Sequence, residues 1–318
     1  MSQLTVPERS WFIVLSRDHE TSSQRAELRL RVRSGELTRV ARGAYLDTLA
    51  WTSCDRDARH RVLVTAAAAL SSERLTFSHA AAAALWRLPW IGAWPSRVDA
   101  LADAVHGGNS TKLIQRHAPA SLVMPERIDG HNVTALPVTV VDLAALLPFD
   151  SAVAVADAAL RRATHPLPGL PRVAIDHEAL RAELQRIPLN HGRARAARVI
   201  EFADGRADRP GESLSRVAMK RARLPMPELQ VPLRGASGRV YVVDFWWEQF
   251  RVFGEFDGRF KYSNPEFLRG RTPQQALYDE KLREDDLRAL DRRCARWNWE
   301  VARSIPLLRE RLAAAGVR

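Results

Sequence analysis

Three acidic residues sit where a strand pattern can gather them. Asp244 closes the apolar run Val240-Tyr-Val-Val-Asp244, and Glu255 and Asp257 stand two residues apart in Phe253-Gly-Glu-Phe-Asp-Gly258. Side chains alternate faces along a strand, so Glu255 and Asp257 share a face and a paired neighbouring strand can bring Asp244 to them. Carboxylates among Val, Phe, Trp and Tyr are costly to bury unless a cation neutralises them. An oxygen-rich cluster of this kind suits Mg²⁺ or Mn²⁺. The chemistry implied is metal-assisted hydrolysis of a phosphodiester, with Asp244, Glu255 and Asp257 around the metal and Lys281 or Lys261 offsetting developing charge. Lys281 is favoured, because a helix over Ala276–Leu290 fixes it more rigidly than a loop fixes Lys261. The competing reading is structural: Asp244 and Asp257 end strands, Asp257-Gly258 is a turn, and Glu255 pairs with an arginine.

Histidine plays no part in this chemistry, since none of the nine lies beyond His191. His79 is read as a packed or helix-capping residue, because no second ligand stands at metal spacing from it. Cys54 and Cys294 are the only cysteines, too few for a disulfide framework or a cysteine-rich zinc site. Gly107-Gly-Asn-Ser-Thr-Lys112 lacks the residue order of a P-loop, so no ATP site is expected.

The elements around the acids read as a helix followed by a meander. Glu212–Arg223 has helical spacing, and Glu228–Leu233, Arg239–Trp247 and Phe250–Phe256 read as strands. Trp297–Arg303 reads as a last strand and Pro306–Ala315 as a closing helix. Upstream, Trp11–Arg17 and Ser22–Arg33 read as helices, and Glu36–Leu46 as two short strands turning at Arg42-Gly43. Ala58–Leu70, Ser151–Arg162, Asp176–Arg186 and Arg193–Ala203 read as helices, Val138–Leu143 as a strand, and the proline-rich Thr164–Pro171 as a connector.

With 318 residues, 46% of them hydrophobic and 27% charged, the chain is long enough for about two globular domains. Lys and Arg number 48 against 37 Asp and Glu, a formal charge of +11 carried mostly by arginine, which points to a polyanionic partner. No apolar run is long enough for a membrane span and the first ten residues lack the apolar core of a signal peptide, so a cytoplasmic protein is expected.

Two resemblances sharpen these readings. Arg209-Pro-Gly-Glu-Ser-Leu-Ser-Arg216, Val-Asp-Phe245, Gly-Glu-Phe-Asp-Gly258, Lys261-Tyr262 and Glu280-Lys-Leu-Arg-Glu-Asp285 follow one another between residues 209 and 285. Together they resemble the PD-(D/E)XK nuclease superfamily, in particular its very-short-patch-repair-like endonuclease branch. The resemblance implies metal ligation by Glu212, Asp244 and Glu255. It departs in two places: Asp257 stands where the superfamily usually has Lys, and the histidine of repair-type relatives has no counterpart. Separately, the segment up to Arg42-Gly43-Ala-Tyr45 is similar to the N-terminal winged helix of AbiEi-type antitoxins. That implies DNA contacts from Ser22, Ser23, Gln24, Arg25 and Arg29 of a helix and from Arg39 and Arg42 of the wing.

The expected architecture is therefore α/β and multidomain. It comprises a winged helix-turn-helix over residues 1–55, a mixed α/β middle region over 56–190, and a restriction-endonuclease-like α/β/α domain with a mixed sheet over 205–318. The expected function is a DNA-binding, Mg²⁺- or Mn²⁺-dependent endonuclease, with defence against phage or mobile elements implied by resemblance. The alternative is an AbiEi-like antitoxin or regulator, with a cognate toxin as partner, whose nuclease-like domain only grips nucleic acid.

Overall fold

The computed structural model describes residues 11–102, 109–118, 124–189, 191–258 and 272–318. The fold is α/β with mixed sheets, in two compact units. One unit runs to Leu146 and takes in Pro166–Ala197; the other comprises Leu147–His165 and Arg198–Arg318.

The first unit begins with β1 (Val14–Leu15), α1 (Ser22–Arg33), β2 (Leu37–Ala41) and β3 (Ala44–Asp47). The three strands form an antiparallel sheet in the order β1-β3-β2. Trp11–Arg17 is thus not the expected helix: Val14 and Leu15 add a short strand to the hairpin and Ser16–Asp18 makes a single 3₁₀ turn. A capping box between Thr21 and Gln24 starts α1. Gly43 turns the hairpin with φ +84°, a conformation that a β-carbon would strain. After α2 (Thr48–Ser53) and α3 (Arg56–Leu70), a five-stranded mixed sheet follows, in the order β6-β5-β4-β8-β7, from β4 (Thr76–Phe77), β5 (Val98–Leu101), β6 (Ile114–His117), β7 (Glu126–Ile128) and β8 (His131–Val133). The buried α4 (His79–Leu85) and α5 (Leu136–Leu146) belong to this unit, as does α7 (His177–Arg186). Val138–Leu143, expected as a strand, lies inside α5. The mostly apolar stretch Leu136–Leu146, interrupted by Thr139 and Asp142, is longer than a buried strand usually runs and long enough for three helical turns.

The second unit carries α6 (Phe149–Arg161) and α9 (Pro210–Arg221), which pack together; α8 (Arg193–Phe202) leads into it. Its sheet has the order β12-β11-β10-β9, from β9 (Glu228–Arg234), β10 (Val240–Trp247), β11 (Val252–Phe256) and β12 (Arg293–Trp297). β9, β10 and β11 are antiparallel neighbours, whereas β12 runs parallel to β11. A parallel return needs a crossover, and α10 (Pro273–Arg288) lies in it. The expected strand over Trp297–Arg303 is displaced: pairing with β11 ends at Trp297, opposite Phe256, and Asn298 then caps the helical turn α11 (Trp299–Ala302). The chain closes with α12 (Ile305–Ala315).

The sheet is apolar on both faces. Phe245, Trp247, Val252, Phe256 and Trp297 pack with Leu214 and Met219 of α9 and Leu308 and Leu312 of α12. On the other face Val243, Trp246 and Phe253 meet Leu287 of α10. No helix among the described residues is long and apolar enough to cross a membrane.

Candidate active site

Glu212 stands in the first turn of α9, and the residues before it explain how close that turn comes to the sheet. Pro210 occupies the first helical turn, where its missing N–H costs nothing. Gly211 follows, and a β-carbon there would lie 2.0 Å from the Phe256 ring, so only glycine lets the helix start approach the end of β11 this closely. Glu212 is consequently 1% exposed. Its Oε2 accepts the Asp208 N–H at 2.9 Å and the Gln230 Nε2–H at 3.0 Å. Burial pushes its carboxyl up to about 8, and the charge of Asp244 adds to the shift.

Asp244 sits at an interruption of the β9–β10 ladder. Val243 lies opposite Val231 and Phe245 opposite Leu229, yet Val243 packs on one face of the sheet and Phe245 on the other. Strict alternation would put them on the same face, so the chain twists over at Asp244 and its partner Gln230. Gln230 takes this up with φ +52°, a left-handed conformation costing on the order of 1 kcal/mol or more for a residue with a β-carbon. Asp244 Oδ2 accepts the Phe256 N–H at 2.8 Å, and Oδ1 receives a longer bond, 3.4 Å, from Gln230 Nε2. One amide group thus touches both Glu212 and Asp244.

Glu255 and Asp257 are turned to arginines. Glu255, on the Phe253 face, is buried, and its Oε1 receives Arg283 Nη2 at 2.8 Å. Arg283 stands one helical turn before Leu287, so the apolar anchor of α10 aims it at the sheet; its side chain is 27% exposed. The same Nη2 donates to the Val242 carbonyl. Arg296, opposite Glu255 in the parallel register, reaches Asp257 at 3.4 Å, Glu284 at 2.9 Å and also Glu280. Burial opposes the Arg296 charge, but Asp257 and Glu280 outweigh it and raise its pKa.

Glu212 and Asp244 are therefore linked through Gln230, while Glu255 and Asp257 are paired with Arg283 and Arg296. Lys281 is exposed on α10, and Lys261 lies outside the described residues. Among the described residues no three His, Cys, Asp or Glu side chains gather closely enough to share one ion, so the expected cage of Glu212, Asp244 and Glu255 is not assembled in this structure. Two carboxylates facing one small polar group do form a hard-oxygen donor set, which fits a divalent cation such as Mg²⁺ or Mn²⁺. Sequence reasoning missed Gln230 and Arg283. The signal for Gln230 was a polar residue between two apolar ones, buried Leu229 and half-buried Val231; for Arg283 it was the one-turn spacing to Leu287.

In the first unit, Ser22, Ser23, Gln24, Arg25, Arg29, Arg39 and Arg42 are all exposed. Gln24 is spent locally, since its Oε1 accepts the Thr21 N–H of the capping box. Arg25 Nε donates to the His19 carbonyl. His79 opens α4 and stacks on His117 at 4.0 Å, while His117 Nε2 lies 2.7 Å from Asp99 Oδ1.

No protein-family model matches the chain. It is similar to two uncharacterised proteins of Mycobacterium tuberculosis, from strains CDC 1551 / Oshkosh and ATCC 25618 / H37Rv, each 32% identical over 148 residues, 46% of this chain. The chain spans about half the length of these curated relatives, 51% in each case. A crystal structure of the Mycobacterium tuberculosis protein RV2827C aligns over 70% of this chain and 83% of that one, with 16% identity and a TM-score of 0.36.

Proposed function

We propose that the chain is a DNA-binding protein whose second unit is a metal-dependent phosphodiester hydrolase of the PD-(D/E)XK type. The observation that carries this reading is the Glu212–Asp244 pair. Burying a carboxyl to 1% exposure beside a second one costs stability, and α9 is built to do so through Pro210 and Gly211. A mixed four-stranded sheet with helices on both faces agrees with the reading.

Glu212 and Asp244 would hold the cation, which when bound polarises a phosphate and acidifies an attacking water. Arg283 pairs with Glu255, and its part-exposed guanidinium is a cation that can also meet a phosphate. The +11 charge attracts the polyanion, and the exposed basic residues of α1 and the β2–β3 hairpin supply phosphate contacts.

The test is cleavage of supercoiled, linear and single-stranded DNA in Mg²⁺, Mn²⁺ or EDTA. Cutting is expected only with metal. Losing a metal anchor removes several kcal/mol of transition-state stabilisation, so Asp244→Ala should cut on the order of a thousandfold more slowly. Equal cutting by Asp244→Ala would sink the assignment.

A second reading is favoured by the Glu255–Arg283 and Asp257–Arg296 pairs, which occupy two of the acids with protein cations. In it the chain is an AbiEi-like regulator or antitoxin, with a toxin partner, whose nuclease-like unit only binds nucleic acid. DNA binding that is salt-sensitive, uncut, and unchanged by EDTA or Asp244→Ala would select it.

A further inference from the structure

We infer that Gln230 is a ligand of the cation held by Glu212 and Asp244, and that in the metal-free protein its amide stands in for that cation. The inference rests on the reading of this unit as a cation-binding one. Gln230 Nε2 lies 3.0 Å from Glu212 Oε2 and 3.4 Å from Asp244 Oδ1, so one N–H group occupies the position where a positive charge would serve both carboxylates.

The residue type suits both states. A primary amide carries a donor and an acceptor on one rotatable bond, and turning it over exchanges Nε2 for Oε1 at the same place. With no metal, the amide donates to the carboxylates; with a metal, it presents a hard oxygen, the donor that Mg²⁺ and Mn²⁺ take from glutamine as well as from carboxylates. A lysine or arginine there would neutralise the pair permanently and exclude a cation. The backbone holds the amide in place: φ of +52° at Gln230 and the face change at Asp244 aim both side chains to where α9 brings Glu212.

The experiment is a titration of Mn²⁺ into the metal-free full-length protein at pH 8, followed by the electron paramagnetic resonance of free Mn²⁺ and by calorimetry, with no DNA present. Gln230→Met keeps the length and apolar stem and removes the amide; Gln230→Glu keeps an oxygen. If Gln230 ligates the ion, Gln230→Met weakens Mn²⁺ binding tenfold or more, while Gln230→Glu binds as tightly as the wild type or tighter. If the amide is only a competitor for the carboxylates, removing it leaves affinity unchanged or tighter in Gln230→Met, which overturns the inference. Weakening in both variants assigns Gln230 a backbone role and overturns it as well. A wild-type protein that takes up no Mn²⁺ fails at the earlier step, the cation-binding reading itself, and so is distinguishable from failure at Gln230.

Discussion

Arg283 and Glu255 meet at 2.8 Å across the space between α10 and β11, although they lie 28 residues apart in the chain. Glu255 is buried and Arg283 partly open, so the pair is asymmetric. Removing the guanidinium leaves a buried carboxylate short of its cation, whereas removing the carboxylate charge leaves an arginine that water can reach. Arg283→Met is therefore expected to lower the unfolding free energy by about 1–3 kcal/mol. Glu255→Gln should cost less, and urea denaturation of the two single variants and the double variant measures the difference as a cycle.

A buried pair of the same unit is Asp157 and Arg216, 2.8 Å apart, with Arg216 also donating to the Phe202 carbonyl. Both side chains are withdrawn from solvent, and burial already pushes the Asp157 carboxyl up to about 6, so Arg216→Met leaves it without its cation and should cost about 3–5 kcal/mol at pH 8, and less as pH falls and the carboxyl takes up a proton. Adding Asp157→Asn removes the stranded charge while keeping the acceptor for the Asp204 N–H, and should recover a large part of the loss. Equal stability of the single and double variants would contradict this account.

Gly211 gives a steric prediction. Alanine there drives a methyl group into the Phe256 ring, so Gly211→Ala should cost about 1–3 kcal/mol and lower Tm, because α9 must back away from the sheet. Phe256→Val in the same chain makes room and should restore part of the Tm.

The response to acid follows from two histidines, buried His60 and half-buried His79. Burial pushes His60 and His79 down to about 4, with His117 adding to the shift at His79. The ordinary value is 6.5, so the folded state binds these protons less readily than the unfolded chain. Their contribution to stability is complete above about 6.5 and is lost as pH falls towards 4. The urea midpoint should decline over that window, and His60→Gln should flatten the slope. Glu212 acts in the opposite sense: in EDTA, its raised carboxyl makes stability fall as pH rises from 4.5 to about 8, and Glu212→Gln should remove that fall.

The proposed DNA interface is tested by salt. Arg29→Ala, Arg39→Ala and Arg42→Ala should each reduce the slope of log affinity against log salt by about one, read by fluorescence anisotropy on a short duplex. Unchanged slopes would remove α1 and its hairpin from the interface.

Local pattern carried most of the secondary structure. Ser22–Arg33 was legible to the residue because a hydroxyl cap, Thr21, precedes a charged helix that ends before Gly35, and the meander was legible because β-branched and aromatic runs are cut by Gly235–Gly238 and Glu248-Gln249. Val138–Leu143 was misread because a short apolar run is equally compatible with a buried strand and a buried helix, and only its packing in α5 separates the two.

The acids were legible as types, since Glu212, Asp244, Glu255 and Asp257 stand out among apolar neighbours. Their partners were not. Gln230 reaches Glu212 and Asp244 because a left-handed residue interrupts a strand ladder, and Arg283 and Arg296 claim Glu255 and Asp257 because a crossover helix and a parallel strand return to β11. Sequence carries the hydrophobic period and the turn chemistry, which are local. Which charge meets which carboxylate depends on long-range register and on how deeply each group is withdrawn from water, and those arise only when the sheet and its helices pack.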